Sequence, residues 1–148
     1  MRLMNDSLSR ILHNALYQRL LSFCNQYTPE YPAEPIVTHW LSRLYSGDDN
    51  LHILVVLDKS YNITAHCVVD IQHSATHTVI FCHQVQADKG SGGSIDEYME
   101  YMDKLASSVN AHCICVNVAK HSKALETKYS YTTTRTVMLK YGEGYNET

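Results

Sequence analysis

The sequence predicts an α/β chain built on one mixed sheet, with helices on both faces. Three observations carry this. Two early runs, residues 8–27 and 35–45, repeat apolar side chains at three- and four-residue steps, the period of a helix lying on a core. Three β-rich runs follow, at residues 51–57, 63–71 and 78–87, joined by turns so short that neighbours must be antiparallel. A glycine loop at residues 89–94, an amphipathic run at 95–109 and a β-rich run at 112–119 then make a strand–loop–helix–strand crossover. Such a crossover gives a parallel pair of right-handed sense.

The first helix has cap candidates in Asn5-Asp6-Ser7 and an apolar stripe of Leu8, Leu12, Leu16, Leu20 and Phe23. Residues 28–35 form a loop holding all three prolines. Pro35 opens the second helix, where a missing N–H is no loss, and Ile36, Val37, Trp40, Leu41 and Leu44 make its apolar face. Residues 46–50 are a turn cluster, and residues 58–62 and 73–76 turn the chain between strands. The crossover helix places Ile95, Tyr98, Met102, Leu105 and Val109 on one face. A short helix at 122–128 and a last strand at 132–141 complete the order, with a loose tail after them. Residues 1–4 are very short for a strand. The chain is expected to be one domain over 1–148, with two helices in 1–50 and the mixed-sheet core in 51–141.

At 148 residues the chain can bury a real core without disulfide staples. Hydrophobic residues are 45% and charged ones 18%, a globular balance rather than a disordered one. A net charge of −3 argues against a large nucleic-acid footprint. The five cysteines are odd in number, and four of them sit in apolar strand-like runs, as buried thiols do in a reducing compartment. No apolar run approaches the ~20 residues of a membrane span, and the first apolar residues are spaced by polar ones at helical intervals, unlike a signal peptide. A cytoplasmic protein is expected. Cys113, Cys115, His112, Cys82 and His83 suggest zinc only weakly. Alternate residues of a strand share a face, so Cys113 and Cys115 are explained as core thiols, and no metal site is assigned.

The loop Lys89-Gly90-Ser91-Gly92-Gly93-Ser94 holds three of the six glycines in the chain. Small residues allow positive φ and leave successive N–H groups uncovered, and a following helix adds free N–H groups and the positive end of its dipole. Strand, loop and helix start together make an anion cradle, most often for phosphate. The nucleotide-binding patterns do not fit. A Walker loop needs its lysine at the helix start, whereas Lys89 precedes the glycines. A Rossmann fingerprint follows the first strand of a parallel sheet, and here only Gly90-Ser91-Gly92 matches, after three antiparallel runs. A flexible surface connector is the plain alternative.

Element order and loop together resemble the GNAT superfamily of acetyl-coenzyme A-dependent N-acetyltransferases. Its loop pattern is Arg/Gln-x-x-Gly-x-Gly/Ala. Residues 89–94 fit with lysine for arginine and serine for the last small residue, and Val85 stands for the strand-end valine with one residue fewer before the basic position. The resemblance covers roughly residues 51–140 and, more loosely, the two leading helices.

That resemblance implies direct acyl transfer from the acetyl-CoA thioester to an amine. Gly90, Ser91, Gly92, Gly93 and Ser94 would hold the pyrophosphate, with Lys89 adding a charge-assisted contact. The pantetheine arm would pair with the backbone of residues 83–87, Val85 and Gln86 among them, in a gap where two strands splay. A backbone N–H near Val85 would serve the oxyanion. His83 is the candidate base, with Asp88 second. The family's leaving-thiol acid is a tyrosine four residues before a Gly-Phe-like pair. Ser130-Tyr131 stands near that pair and Glu126 lies four before it, so Tyr129 is the nearest candidate and Tyr131 the further one. The expected partner is an amine acceptor, small molecule or protein, without membrane or nucleic acid, and a homo-oligomer is left open. The competing expectation is a non-catalytic binding protein on the same scaffold, with coenzyme A binding kept or lost.

Overall fold

A computed structural model describes residues 2–4, 6–91, 93–117 and 123–132. One sheet runs in the order β1 (Arg2–Leu3), β2 (Leu51–Leu57), β3 (Ile63–His73), β4 (Thr78–Ala87) and β5 (Cys113–Val116). The first four strands are antiparallel neighbours, and β4 and β5 are parallel. Helices α1 (Asp6–Tyr27) and α2 (Ala33–Tyr45) pack on one face, α3 (Gly93–Ser108) and α4 (Lys123–Tyr129) on the other. This is the mixed-sheet architecture that the patterning predicts.

Strands β2 and β3 are buried on both faces, so their alternate side chains feed two cores. Leu12, Leu16 and Leu20 of α1, with Val37 and Leu41 of α2, meet Ile53, Val55 and Val68. On the opposite face Tyr98, Met99 and Met102 of α3 meet Leu54, Cys67, Val69, Ile80 and Cys82.

Several boundaries that bear on the sheet and the site differ from expectation. Residues 1–4 do supply a strand: Arg2 pairs with Val55 and Leu3 with Leu54, and Met4 N–H donates to Ile53 O at 2.8 Å. A two-residue strand suffices because it extends a sheet that already exists, and buried Met4 anchors it in the α1–α2 core. Pro35 is the third residue of α2 rather than its opening one, with Pro32 as cap. The first-turn N–H groups have no intrahelical partners, so proline fits there too. Helix α3 begins at Gly93, which moves Gly93 and Ser94 from the loop into its first turn. Strand β5 is shorter than expected, ending at Val116. The strand expected at 132–141 lies outside the described residues, apart from Thr132. No helix among the described residues is long and apolar enough to cross a membrane.

Candidate active site

Strand β4 pairs with β3 in two registers. Cys82 faces Val69 and Gln84 faces Val68, so His83 is an extra residue in a β-bulge. The bulge shifts the alternation by one. Ile80 and Cys82 before it, and Val85 and Ala87 after it, all turn to the α3 core. Phe81, His83 and Gln84 turn to a cavity on the α1–α2 side. The bulge also marks where β5 leaves β4. Their last pair is Cys82–Val116, followed by Asn117 N–H donating to Cys82 O at 3.0 Å. Beyond it β4 continues to Ala87 against β3 alone, so its other edge presents main-chain groups that no strand covers among the described residues.

The His83 ring packs near Trp40 and Phe81, with centroids 5.1 and 4.8 Å away. Its Nε2 lies 3.2 Å from Asp70 Oδ2. Asp70 is largely buried and also takes two bonds from Arg43, at 3.0 and 2.9 Å. Burial pushes the Asp70 carboxyl up, but the hydrogen bonds from His83 and Arg43 and their charges outweigh it and hold it well below the usual carboxylate range. The hydrogen bond to Asp70 pushes the Arg43 guanidinium up, and Arg43 further donates to Asp48 at 2.7 Å. An ionised Asp70 only accepts, so Nε2 of His83 carries a proton toward it.

The cavity beside His83 has a volume of about 540 Å³. The rings of Phe23, Tyr31, Trp40 and Phe81 supply much of its wall, with Pro35 and Ile36. Its polar side chains include His39, His83, Gln84 and Asn117, and no acidic residue, lysine or arginine lines it among the described residues. Gln84 is held from behind by a buried relay. Arg19 Nε donates to His66 Nδ1 at 2.7 Å, His66 Nε2 donates to Gln84 Oε1 at 2.9 Å, and Gln84 Nε2 donates to Leu20 O at 3.2 Å. These bonds set both the His66 tautomer and the orientation of the Gln84 amide.

The glycine loop follows β4 directly. Gly90 has φ +91°, where side chains are strained. Ser91 N–H donates to Asp88 O and Ser94 N–H to Ser91 O, at 2.9 and 3.0 Å, which uses two of the expected cradle donors. Ser94 is buried and Lys89 is exposed. A Cβ at Gly93 meets nothing within 4 Å, so the space before the first turn of α3 is open. Gly92 lies outside the described residues. Asp88 is engaged by Arg19, at 3.0 and 3.3 Å. In the register with β3, Val85 faces Cys67 and Gln86 faces His66.

The two tyrosines differ in surroundings. The Tyr129 hydroxyl donates to Asp96 on α3, which Lys128 also contacts at 2.8 Å. That hydrogen bond to Asp96 pushes the Tyr129 phenol up. Tyr129 packs on the α3 core, so the structure does not bring it to the cavity where His83 sits. The Tyr131 hydroxyl is buried with no hydrogen-bond partner among the described residues. Burial, then the nearby Asp103 and the thiols of Cys82, Cys67 and Cys115, push its pKa up. Like Tyr129, Tyr131 packs on the α3 core and is not among the residues lining the cavity beside His83. Asp70, Arg43, Arg19, His66 and Gln84 were not singled out from the sequence as working parts. Asp70 carried the one available signal, a carboxylate inside an otherwise apolar strand run.

No family model matches the chain, and no curated protein sequence matches it. Solved structures do. One is a "predicted acetyltransferase with acetyl-CoA" from Clostridium acetobutylicum, at TM-score 0.70 and 14% identity over 95% of this chain and 94% of that one. Another is glucosamine-6-phosphate N-acetyltransferase from Arabidopsis thaliana, at TM-score 0.62 and 15% identity over 95% of each chain. A third is a Trypanosoma brucei acetyltransferase, at TM-score 0.63 and 14% identity over 95% and 96%. With strand order, crossover and near-complete coverage in agreement, the chain has the fold of the GNAT-type acetyltransferases.

Proposed function

We propose that the chain is an acyl-coenzyme A-dependent N-acyltransferase that uses acetyl-CoA to acetylate an amine. The observation that carries this is the divergence of β4 from β5 at Cys82, with His83 bulged out there, held by Asp70 and facing a cavity. The chain's own groups fit the cofactor. The free edge of β4 over residues 83–87, Val85 and Gln86 included, offers unpaired main-chain groups to its amides. The glycine loop and open first turn of α3 offer remaining N–H groups to its phosphates, with exposed Lys89 beside them. When bound, the cofactor supplies an acyl thioester whose C–S bond breaks as the amine C–N bond forms. His83 accepts the amine proton at Nδ1, while Asp70 fixes its tautomer and stabilises the imidazolium. Tyr131, whose phenol is pushed up and has no hydrogen-bond partner among the described residues, keeps its proton and is the group assigned to supply one at its hydroxyl. The engagement of Tyr129 by Asp96 favours that assignment over Tyr129. It also favours a second reading, binding without turnover, if no proton reaches the leaving sulfur.

A thermal-shift series with acetyl-CoA tests the proposal. At a hundredfold excess over Kd the ligand adds about 2.7 kcal/mol of stability by mass action. Gly93→Glu places a carboxylate in the open space at the first turn of α3 and abolishes the shift without a steric clash. His83→Ala keeps the shift and loses turnover. No shift at saturating acetyl-CoA sinks the proposal, and a shift with no turnover on any amine leaves the second reading.

A further inference from the structure

The wall of the cavity beside His83 identifies the chemistry of its occupant. Four of its residues present aromatic rings, Phe23, Tyr31, Trp40 and Phe81, and they come from α1, the α1–α2 loop, α2 and β4. Among the described residues no lysine or arginine lines it, so a phosphate or carboxylate on the ligand meets no countercharge from them. No acidic residue among the described ones lines it either, so a second ammonium of a polyamine meets no carboxylate from them. Asp70, which holds His83, is already shared between His83 and Arg43. A volume of about 540 Å³ suits a small molecule rather than a protein segment. We infer that the acceptor is a small primary amine borne on a short alkyl chain attached to an aromatic ring, with no other charged group.

The ring packs offset or edge-on among the four aromatic side chains. Gln84 lines the same space with its amide already engaged by His66, Leu20 and Cys24, so it adds wall rather than a free donor. The same apolar wall disfavours the ammonium form, so the amine enters nearer the neutral state in which it can attack. This inference deepens the proposed acyl transfer and rests on it for the role of the amine, but the binding it states needs no cofactor.

Trp40 is the single tryptophan of the chain and lines the cavity, so its emission reports occupancy directly. Protein without cofactor is titrated with phenylethylamine, with glucosamine 6-phosphate and with putrescine. A saturable change in Trp40 emission with phenylethylamine, at an affinity at least about tenfold tighter than either comparison amine, is the expected result. Ile36→Arg, which brings a cation into the wall, weakens the phenylethylamine response by about tenfold or more. Gly93→Glu leaves it unchanged, which separates this test from that of the cofactor. No saturable response to phenylethylamine, or an equal response to the sugar phosphate or the diamine, overturns the inference even where acetyl-CoA binds.

Discussion

His66 has no exposed surface, yet it links helix α1 to strand β4 through Arg19 and Gln84. Burial pushes its pKa down from the ordinary 6.5 to about 4. The bond to Gln84 works the other way, Arg19 adds to the lowering and Asp88 opposes it. The unfolded chain therefore binds a proton between those values that the folded chain refuses. Its stabilising effect is complete above about pH 6.5 and is lost as pH falls toward 4, amounting to about 3 kcal/mol. Asp70 acts in a separate window. Its depressed pKa costs stability only below the usual carboxylate value of about 3.9. Melting temperatures measured from pH 7 to pH 4 fall steeply for the native chain and more shallowly for His66→Gln; parallel curves would exclude His66 as the source. At this scale the sequence was half legible. His83 stood out because a resemblance placed it on the right strand. Its partners did not, because Asp70 lies 13 positions away and Arg43 lies 27 from Asp70, with no local spacing to join them.

Strand β4 shows what an element hides. Strict alternation puts His83 and Val85 on the same face, two residues apart. The bulge separates them, sending Val85 to the α3 core and His83 to the cavity. A bulge changes pairing by one residue without altering composition, so no pattern in residues 78–87 announces it. The crossover was legible because it is written in element order, and the glycine loop because Gly90 must adopt positive φ. The start of α3 was misplaced by two residues because glycine and serine suit a loop and a first turn equally. The divergence of β4 and β5 leads to a prediction at this scale. Without ligand, the amides of residues 83–87 that β3 does not take exchange rapidly with solvent. With saturating acetyl-CoA they slow, while those paired to β3 change little. Hydrogen exchange in which only the glycine loop slows places the cofactor outside the gap.

Across the described residues, the two cores share one sheet, and its central strands β2 and β3 contribute side chains to both. Ile53 and Leu54 are neighbours on β2, yet the first packs under α1 and α2 and the second under α3. Neither face can lose its helices without exposing the apolar side of strands that the other face needs. A chain of 148 residues arranged this way should unfold in one step rather than as an N-terminal helical half and a crossover half. The sequence division into residues 1–50 and 51–141 therefore marks chain order, not units of stability. The two faces carry separate probes, since Trp40 reports the α1–α2 core while far-UV ellipticity reports the whole fold. In urea both transitions should share one midpoint. Met102→Ala empties space in the α3 core, where Met102 has no exposed surface, at a cost of about 2–5 kcal/mol. If the sheet couples the faces, that distant substitution moves the Trp40 midpoint as far as the ellipticity midpoint. A Trp40 transition that stays in place while ellipticity shifts shows that the α1–α2 layer holds together without the crossover.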